Sequence, residues 1–476
     1  MKYFLLVLVC LGMSVSANCQ SVIGSWKGMI DVGAKKIAFI MHVSQKDNAY
    51  TTTFDSPDQK AFGLKGGETI VSGDSITAKI PVIRGSYHAL WDGRNTMEGT
   101  FAQGNFKTTL QLKRISDSNF VKKYIPKVRP QTPVAPFTYK SEEVVYNNSD
   151  KSVQFGATLT IPTDLTDFPT VIIISGSGPQ DRNGNMFEHQ PYFVLADYLT
   201  KNGIAVLRVD DRGTGLTNVG NDPLKLTSED FAKDVESGLQ YLLTRNDINP
   251  KKIGLIGHSE GGMIAPMVAV NTKKIAFIAL LAAPGIKGEE ILKFQMKRNF
   301  VKKNLLPEDD LKATGMVNGM MDAFKLYSNA DSIKNYMQDY YKKWKVYNND
   351  EVESNLLYTK GPKAFLNITD QFGSGLVWLK YFMNYDPAIN LSALKLPVLA
   401  VNGESDIQIE AKANLEGINA ALKKGRNRKY TLRSFPDLNH LFQTCKSAND
   451  PYDSIEETFS PIALKFISDW IKSTIH

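Results

Sequence analysis

The pentapeptide Gly257-His258-Ser259-Glu260-Gly261 fits Gly-x-Ser-x-Gly, with an apolar run, Ile253-Gly254-Leu255-Ile256, before it and a small-residue helical stretch, Gly262–Val270, after it. A strand that bends sharply into a helix presents a serine hydroxyl on an exposed turn, and flanking glycines remove the Cβ atoms that would collide there. A serine hydroxyl is a poor nucleophile until a base takes its proton. A serine on such a turn is followed along the chain by an acid and then by a histidine. Only His440 and His476 lie beyond Ser259, and His476 is the last residue. His440, in Pro436-Asp437-Leu438-Asn439-His440-Leu441-Phe442, is therefore the expected base. The acid should sit in a loop after an intervening strand, where it can fix the imidazole tautomer. Asp406, after Val398-Leu399-Ala400-Val401, is that candidate; Glu404 and Asp437 are its rivals and otherwise read as solvated loop charge.

A tetrahedral intermediate formed on Ser259 needs backbone N–H donors. The expected pair is the amide of Glu260, next to the nucleophile, and that of Ser177, in the glycine-rich loop Ser175-Gly176-Ser177-Gly178-Pro179-Gln180-Asp181-Arg182. A phosphate cradle would look similar, but neither a Gly-Lys-Ser/Thr ending nor Gly-x-Gly-x-x-Gly occurs there. Asp210-Asp211-Arg212-Gly213-Thr214-Gly215 reads as loop-holding ion pairs without a chemical role. The reading calls for no cofactor and no metal.

The elements that must position these residues follow from periodicity. Thr170–Ile174, Ile204–Leu207, Ile253–Ile256, Ile275–Leu281 and Pro397–Val401 are unalternated apolar runs, which imply strands buried on both faces. They are preceded by a two-strand signal, Glu142–Tyr146 and Val153–Ile161. Helical patterns at Pro191–Lys201, Ser228–Arg245, Gly262–Val270 and Glu410–Leu422 alternate with them, which predicts an α/β fold with a mostly parallel, doubly wound sheet. One long helical stretch, 287–385, interrupts the alternation and should stand outside the sheet as a cap. Residues 20–114 read instead as short strands, such as Lys36–Val43 and Asn105–Leu112, between closely spaced turns. That is the pattern of a small all-β barrel or sandwich. Pro126, Pro130, Pro133 and Pro136 mark residues 115–138 as a linker, and the catalytic domain is expected over 139–476.

The first 19 residues read as a signal peptide: Lys2, eleven mostly apolar residues from Tyr3 to Met13, then small and polar residues up to Cys19. The apolar run is shorter than the roughly 20 residues a membrane span needs, so no transmembrane span is expected in the mature chain. The expectation is export to the periplasm or beyond. Of three cysteines, Cys10 and Cys19 fall in the leader, leaving Cys445 without a partner after cleavage. The chain of 476 residues carries 56 basic and 49 acidic residues, a net charge of +7 with no long basic run, which argues against nucleic acid as a partner.

The motifs Ser-Gly-Ser-Gly-Pro-Gln-Asp-Arg, Asp-Arg-Gly-Thr-Gly and Gly-His-Ser-Glu-Gly, in that order, resemble the α/β-hydrolase superfamily. Within it they look like bacterial carboxylesterases of the dienelactone-hydrolase-like and serine-aminopeptidase-like branch. The resemblance covers residues 139–476 and departs at Ser175, where many relatives carry histidine. It implies hydrolysis of small to medium acyl esters through an acyl-serine intermediate, with a small-molecule ester as partner. A serine peptidase or aminopeptidase of the same superfamily, with Glu260 holding a substrate amine, is the first alternative. A non-catalytic binding protein on the same fold is the second. A prolyl-oligopeptidase arrangement would need a β-propeller, for which the N-terminal β segment is too short.

Overall fold

The computed structural model describes residues 21–31, 36–59, 61–83, 85–103, 106–115, 129–220, 222–301, 305–357, 361 and 375–475. The leader, Pro126 and His476 lie outside them. The chain divides into two compact units, Met1–Pro126 and Lys127–His476.

The first unit is one antiparallel sheet of nine strands. In chain order they are β1 (Gly24–Asp31), β2 (Lys36–Lys46), β3 (Ala49–Ser56), β4 (Ala61–Lys65), β5 (Thr69–Ser72), β6 (Ser75–Ile80), β7 (Gly85–Trp91), β8 (Thr96–Gln103) and β9 (Phe106–Arg114). Their spatial order is β4-β3-β2-β1-β9-β8-β7-β6-β5. Alternate residues of β7 are buried, as a sheet with one covered face requires. Trp26, Phe54, Tyr87 and Met97 fill that face, and the Tyr87 hydroxyl donates to the Leu110 carbonyl at 2.9 Å. The sheet curls until its two ends approach: the turn after β4 ties β3 to β6, the Gly66 amide donating to the Thr52 carbonyl and the Gly67 amide to the Lys79 carbonyl, each at 2.8 Å. The Thr52 and Thr69 hydroxyls lie 2.9 Å apart there. It is thus barrel-like, not a sandwich of two sheets.

The second unit is built on eight strands: β10 (Lys140–Asn147), β11 (Gln154–Ile161), β12 (Thr170–Ile174), β13 (Ala205–Val209), β14 (Ile253–His258), β15 (Phe277–Leu281), β16 (Val398–Gly403) and β17 (Tyr430–Phe435). They lie in the order β10-β11-β13-β12-β14-β15-β16-β17. The pairs β10/β11 and β11/β13 are antiparallel, and all others are parallel. Every residue of β12, β14 and β15 is buried, which accounts for their unbroken apolar runs. One buried cluster joins Val171, Ile256 and Leu399 to α1 (Pro191–Lys201) and the C-terminal helix α11 (Pro461–Thr474). Another joins Ile172, Leu255 and Ala400 to α2 (Ser228–Leu243), α3 (Glu260–Asn271) and α10 (Ala411–Lys424).

Between β15 and β16 the chain forms α4 (Gly288–Phe300), α5 (Pro307–Leu326), α6 (Ala330–Tyr347), α7 (Asp350–Leu356), α8 (Leu376–Asn384) and α9 (Ala388–Ala393). From β12 the chain passes through α1 to β13 on one side, then through α2 to β14 on the other. The crevice at the carboxyl ends of β12 and β14 is the switch point at which such sheets place their sites.

The described part of the proline-rich stretch is built into this second unit. The Arg129 side chain is fully buried and donates to the carbonyls of Asp453 at 2.7 Å and Ile455 at 3.0 Å. Gln131 donates to the Phe459 carbonyl at 2.8 Å and accepts from the amides of Thr458 and Phe459. These residues brace the segment leading into α11. A chain beginning at residue 127 should therefore fold and melt cooperatively. One beginning at residue 132 leaves buried carbonyls without a cationic donor and should lose on the order of 3 kcal/mol. Chemical denaturation of the two truncations checks this; equal midpoints would show that Arg129 and Gln131 contribute nothing.

Candidate active site

Ser259 makes the whole turn between β14 and α3. Its backbone has φ 54° and ψ −120°, the left-handed side of conformational space that non-glycine residues avoid. Its amide donates to the Leu281 carbonyl at 2.9 Å, and its carbonyl accepts from the Gly262 amide at 2.8 Å. A Cβ on Gly257 would come within 2.1 Å of the Gly261 carbonyl oxygen, and one on Gly261 within 2.3 Å of the Ile174 carbonyl oxygen. Only glycine fits at either position. The strand runs to His258 and the helix starts at Glu260, tighter than the sequence periodicity predicts, because one strained residue does the work of a loop.

His440 and Asp406 come together from loops beyond β17 and β16. Both are buried, and Nδ1 of His440 lies 2.8 Å from Oδ2 of Asp406. The carboxylate can only accept, so Nδ1 carries the proton and Nε2 keeps its lone pair. Asp406 is itself fixed: its Oδ1 accepts from the amides of Gln408 at 2.7 Å and Ile409 at 2.9 Å. The rivals lie elsewhere. Glu404 accepts from the Ser434 hydroxyl at 2.6 Å, and Asp437 is exposed. Asn439 ties the histidine loop to itself, its side-chain oxygen accepting from the amides of Leu441 and Gln443. The buried Cys445 thiol, without a disulfide, donates to the Asp437 carbonyl at 3.2 Å.

The glycine-rich loop after β12 closes on Ser259 from the other side. A Cβ on Gly176 would lie 3.2 Å from the Ser259 Cβ. This places Ser177 next to the residue that faces the Ser259 side chain, and Glu260 follows Ser259 directly at the start of α3. Asp211 holds the loop from beneath: it accepts from the Ser175 hydroxyl at 2.7 Å and the Gln180 amide at 2.9 Å. Burial pushes the Asp211 carboxyl up to about 8, against the pull of those two donors. The neighbouring residues form the expected ion pairs, Asp210 with Arg182 and Arg212 with Asp234, each at 2.6 Å. Asp211 makes none of these pairs; its partners are a hydroxyl and an amide.

Two residues that sequence reasoning passed over join the loops. The Gly176 amide donates to the Tyr192 hydroxyl at 3.1 Å, and that hydroxyl lies 3.1 Å from Nδ1 of His258. Nε2 of His258 lies 2.9 Å from the carbonyl oxygen of His440. The carbonyl can only accept, so His258 donates from Nε2 and accepts from Tyr192 at Nδ1. Burial drives its pKa down to about 3, with the nearby His440 adding to the effect, so the ring is neutral. No spacing in the sequence signals Tyr192; the one cue for His258 is its place beside Ser259.

The sequence profile of the family described as serine aminopeptidase, S33, matches residues 184–360, a span that includes Ser259. Esterase EstD of Thermotoga maritima is 24% identical over 326 residues, which cover 68% of this chain. The chain spans 65% of the length of that relative. The solved esterase Pf2001 of Pyrococcus furiosus is 15% identical with a TM-score of 0.44, covering 73% of this chain and 100% of its own. Est1E from Butyrivibrio proteoclasticus is 14% identical with a TM-score of 0.38, covering 70% and 98%. The stretch matched by that profile, residues 184–360, spans the strand-to-helix turn at the end of β14, and the chain is similar to that family over this stretch.

Proposed function

We propose that this chain is a serine carboxylesterase acting on small to medium acyl esters, with Ser259 as nucleophile, His440 as base and Asp406 as orienting acid. The observation that carries this reading is the Asp406–His440 pair, locked by two backbone amides and anchored to the residue beside Ser259. In the proposed cycle, Nε2 of His440 takes the Ser259 proton as Oγ attacks the ester carbonyl. The carbonyl oxygen becomes an oxyanion, for which the Ser177 and Glu260 amides are the donors. Collapse breaks the ester C–O bond, and the alcohol leaves with the proton from Nε2. Water then repeats the sequence on the acyl-serine and releases the acid.

The helical stretch 287–385 is proposed as a cap that sets substrate range over the doubly wound sheet. Its support is Trp378 on α8, whose indole N–H donates to Glu260 Oε1 at 2.8 Å. The leader supports export to the periplasm or beyond. Aminopeptidase activity is the competing reading because the matching profile belongs to a serine aminopeptidase family. Aryl esters of rising chain length, assayed beside aminoacyl amides, separate the two. Turnover of the amides with none of the esters would replace the esterase reading.

Ser259→Ala should lower turnover by on the order of 10⁶ while leaving the melting transition in place. It should also abolish labelling by a fluorophosphonate. More than a few per cent of residual turnover in purified protein would remove Ser259 from the role. Asp406→Asn should cost about 10⁴ in kcat, since the histidine tautomer is then no longer set by a carboxylate. Glu404→Gln is its control and should leave turnover near that of the parent protein, as Glu404 bonds Ser434 instead. The reverse ranking of these two variants would move the acid role to Glu404.

A further inference from the structure

The Glu260 side chain has no part in the cycle above, yet it is among the most deeply buried carboxyl groups in the chain, 2% exposed. Two donors converge on one of its oxygens. The Ser228 hydroxyl, in the first residue of α2, donates to Oε1 at 2.6 Å, and Trp378 donates to the same oxygen at 2.8 Å. Oε2 is buried with no hydrogen-bond partner. The Ser177 side chain is near enough to favour the charged form but makes no hydrogen bond of standard geometry with it.

A carboxylate would leave Oε2 as a buried, charged and unpaired acceptor, a costly arrangement. A carboxylic acid has one carbonyl oxygen that accepts and one hydroxyl that donates. Two donors on Oε1 mark it as the carbonyl oxygen and leave the proton for Oε2. Burial acts in the same direction and pushes the Glu260 carboxyl up.

Among the described residues, the charged groups around it supply no cation to hold it ionised. On α2, Glu229 and Asp230 are acids, Lys233 pairs with Asp230, and Asp234 pairs with Arg212; Glu236 lies further along the same helix. On α8, Lys380 donates to Ser328, and Tyr381 donates to Glu229. Asp211 is a second acid whose carboxyl is pushed up, and His258 on β14 is neutral. The segments α9, β12 and β15 contain no titratable side chain. The opposing influences are the Ser228 and Trp378 donors, the nearby Ser177 side chain and the N-terminus of α3, whose amides favour negative charge; burial outweighs the side-chain donors.

We infer that Glu260 is held as a neutral carboxylic acid with its proton on Oε2, joining the cap helix α8 and the start of α2 to the residue that follows the nucleophile. It is a positioning residue: it fixes the first turn of α3, where its own amide faces the site, without adding a negative charge beside a developing oxyanion. This rests on the esterase reading. It also bears on substrate class, since a neutral acid cannot form an ion pair with a substrate ammonium group. Esters without a free amine are then the fitting substrates.

Infrared difference spectroscopy of the full chain at neutral pH, wild type against Glu260→Gln, tests the protonation state without reference to turnover. The expected result is a protonated-carboxyl C=O band that shifts in D₂O and is absent from the variant. Ser228→Ala, which removes one donor from Oε1, should keep that band and move it to higher frequency. In ester hydrolysis Glu260→Gln should be slower than wild type but at least about tenfold faster than Glu260→Ala, because glutamine keeps an acceptor and a donor at the two positions. An unchanged carboxyl band in Glu260→Gln, or a glutamine variant as slow as the alanine variant, would overturn the inference. A wild type that shows the band but hydrolyses no ester would instead sink the esterase reading and leave the neutral acid standing.

Discussion

The backbone of Ser259 sits where an L-residue is strained, at a cost on the order of 1–3 kcal/mol. Everything around the site can be traced to how that strain is held. The Leu281 carbonyl takes the Ser259 amide, the Gly262 amide takes its carbonyl, and Gly257 and Gly261 stay bare so that strand and helix can touch. With the turn so tight, α3 begins one residue after Ser259, and the orientation of the Glu260 amide is dictated by the helix axis. The switch point between β12 and β14 then brings the glycine-rich loop alongside without a long connection.

Three acids, Asp406, Asp211 and Glu260, surround this turn, and their environments divide them. Asp406 receives two backbone amides on one oxygen and lies against the His440 imidazole with the other. Asp211 has a hydroxyl and an amide, which offset burial only in part. Glu260 has both its donors on a single oxygen. The count and placement of donors, more than depth, set Asp406 apart from two groups that burial drives toward neutrality. His258 does for the loops what these donors do for the acids, linking Tyr192 and Gly176 on one side to the His440 carbonyl on the other.

Much of this is legible in the order of residues alone. Unbroken apolar runs locate the strands of the second unit, and the serine pentapeptide marks the turn, because both are local patterns with a direct steric cause. Asp406 can be nominated from its place after a strand, but its preference over Glu404 depends on which way a loop turns. That direction is set by contacts such as the Ser405 amide on the Leu438 carbonyl, at 3.0 Å. Tyr192 is illegible for a related reason: it lies on a helix face whose pattern only says that it is buried. The proline-rich stretch reads as a linker because its prolines dominate the pattern, while the anchoring is done by Arg129 and Gln131, whose partners stand more than 300 residues away.

The excursion between β15 and β16 leaves and rejoins the sheet at nearly one place. Its two ends are stitched together by the Gly288 amide on the Tyr385 carbonyl at 3.1 Å, and the strands it separates pair directly, Ile278 beside Val398 through Leu281 beside Val401. A detour closed at its neck costs little extra chain entropy when it lengthens, about 0.6 kcal/mol per doubling. Insertions and deletions within it would therefore leave the strand register, and with it the spacing of Ser259, Asp406 and His440, untouched. A chain built this way can change what reaches its site over evolutionary time by rewriting one detachable paragraph of its sequence, provided an indole or its equivalent still reaches down to Glu260.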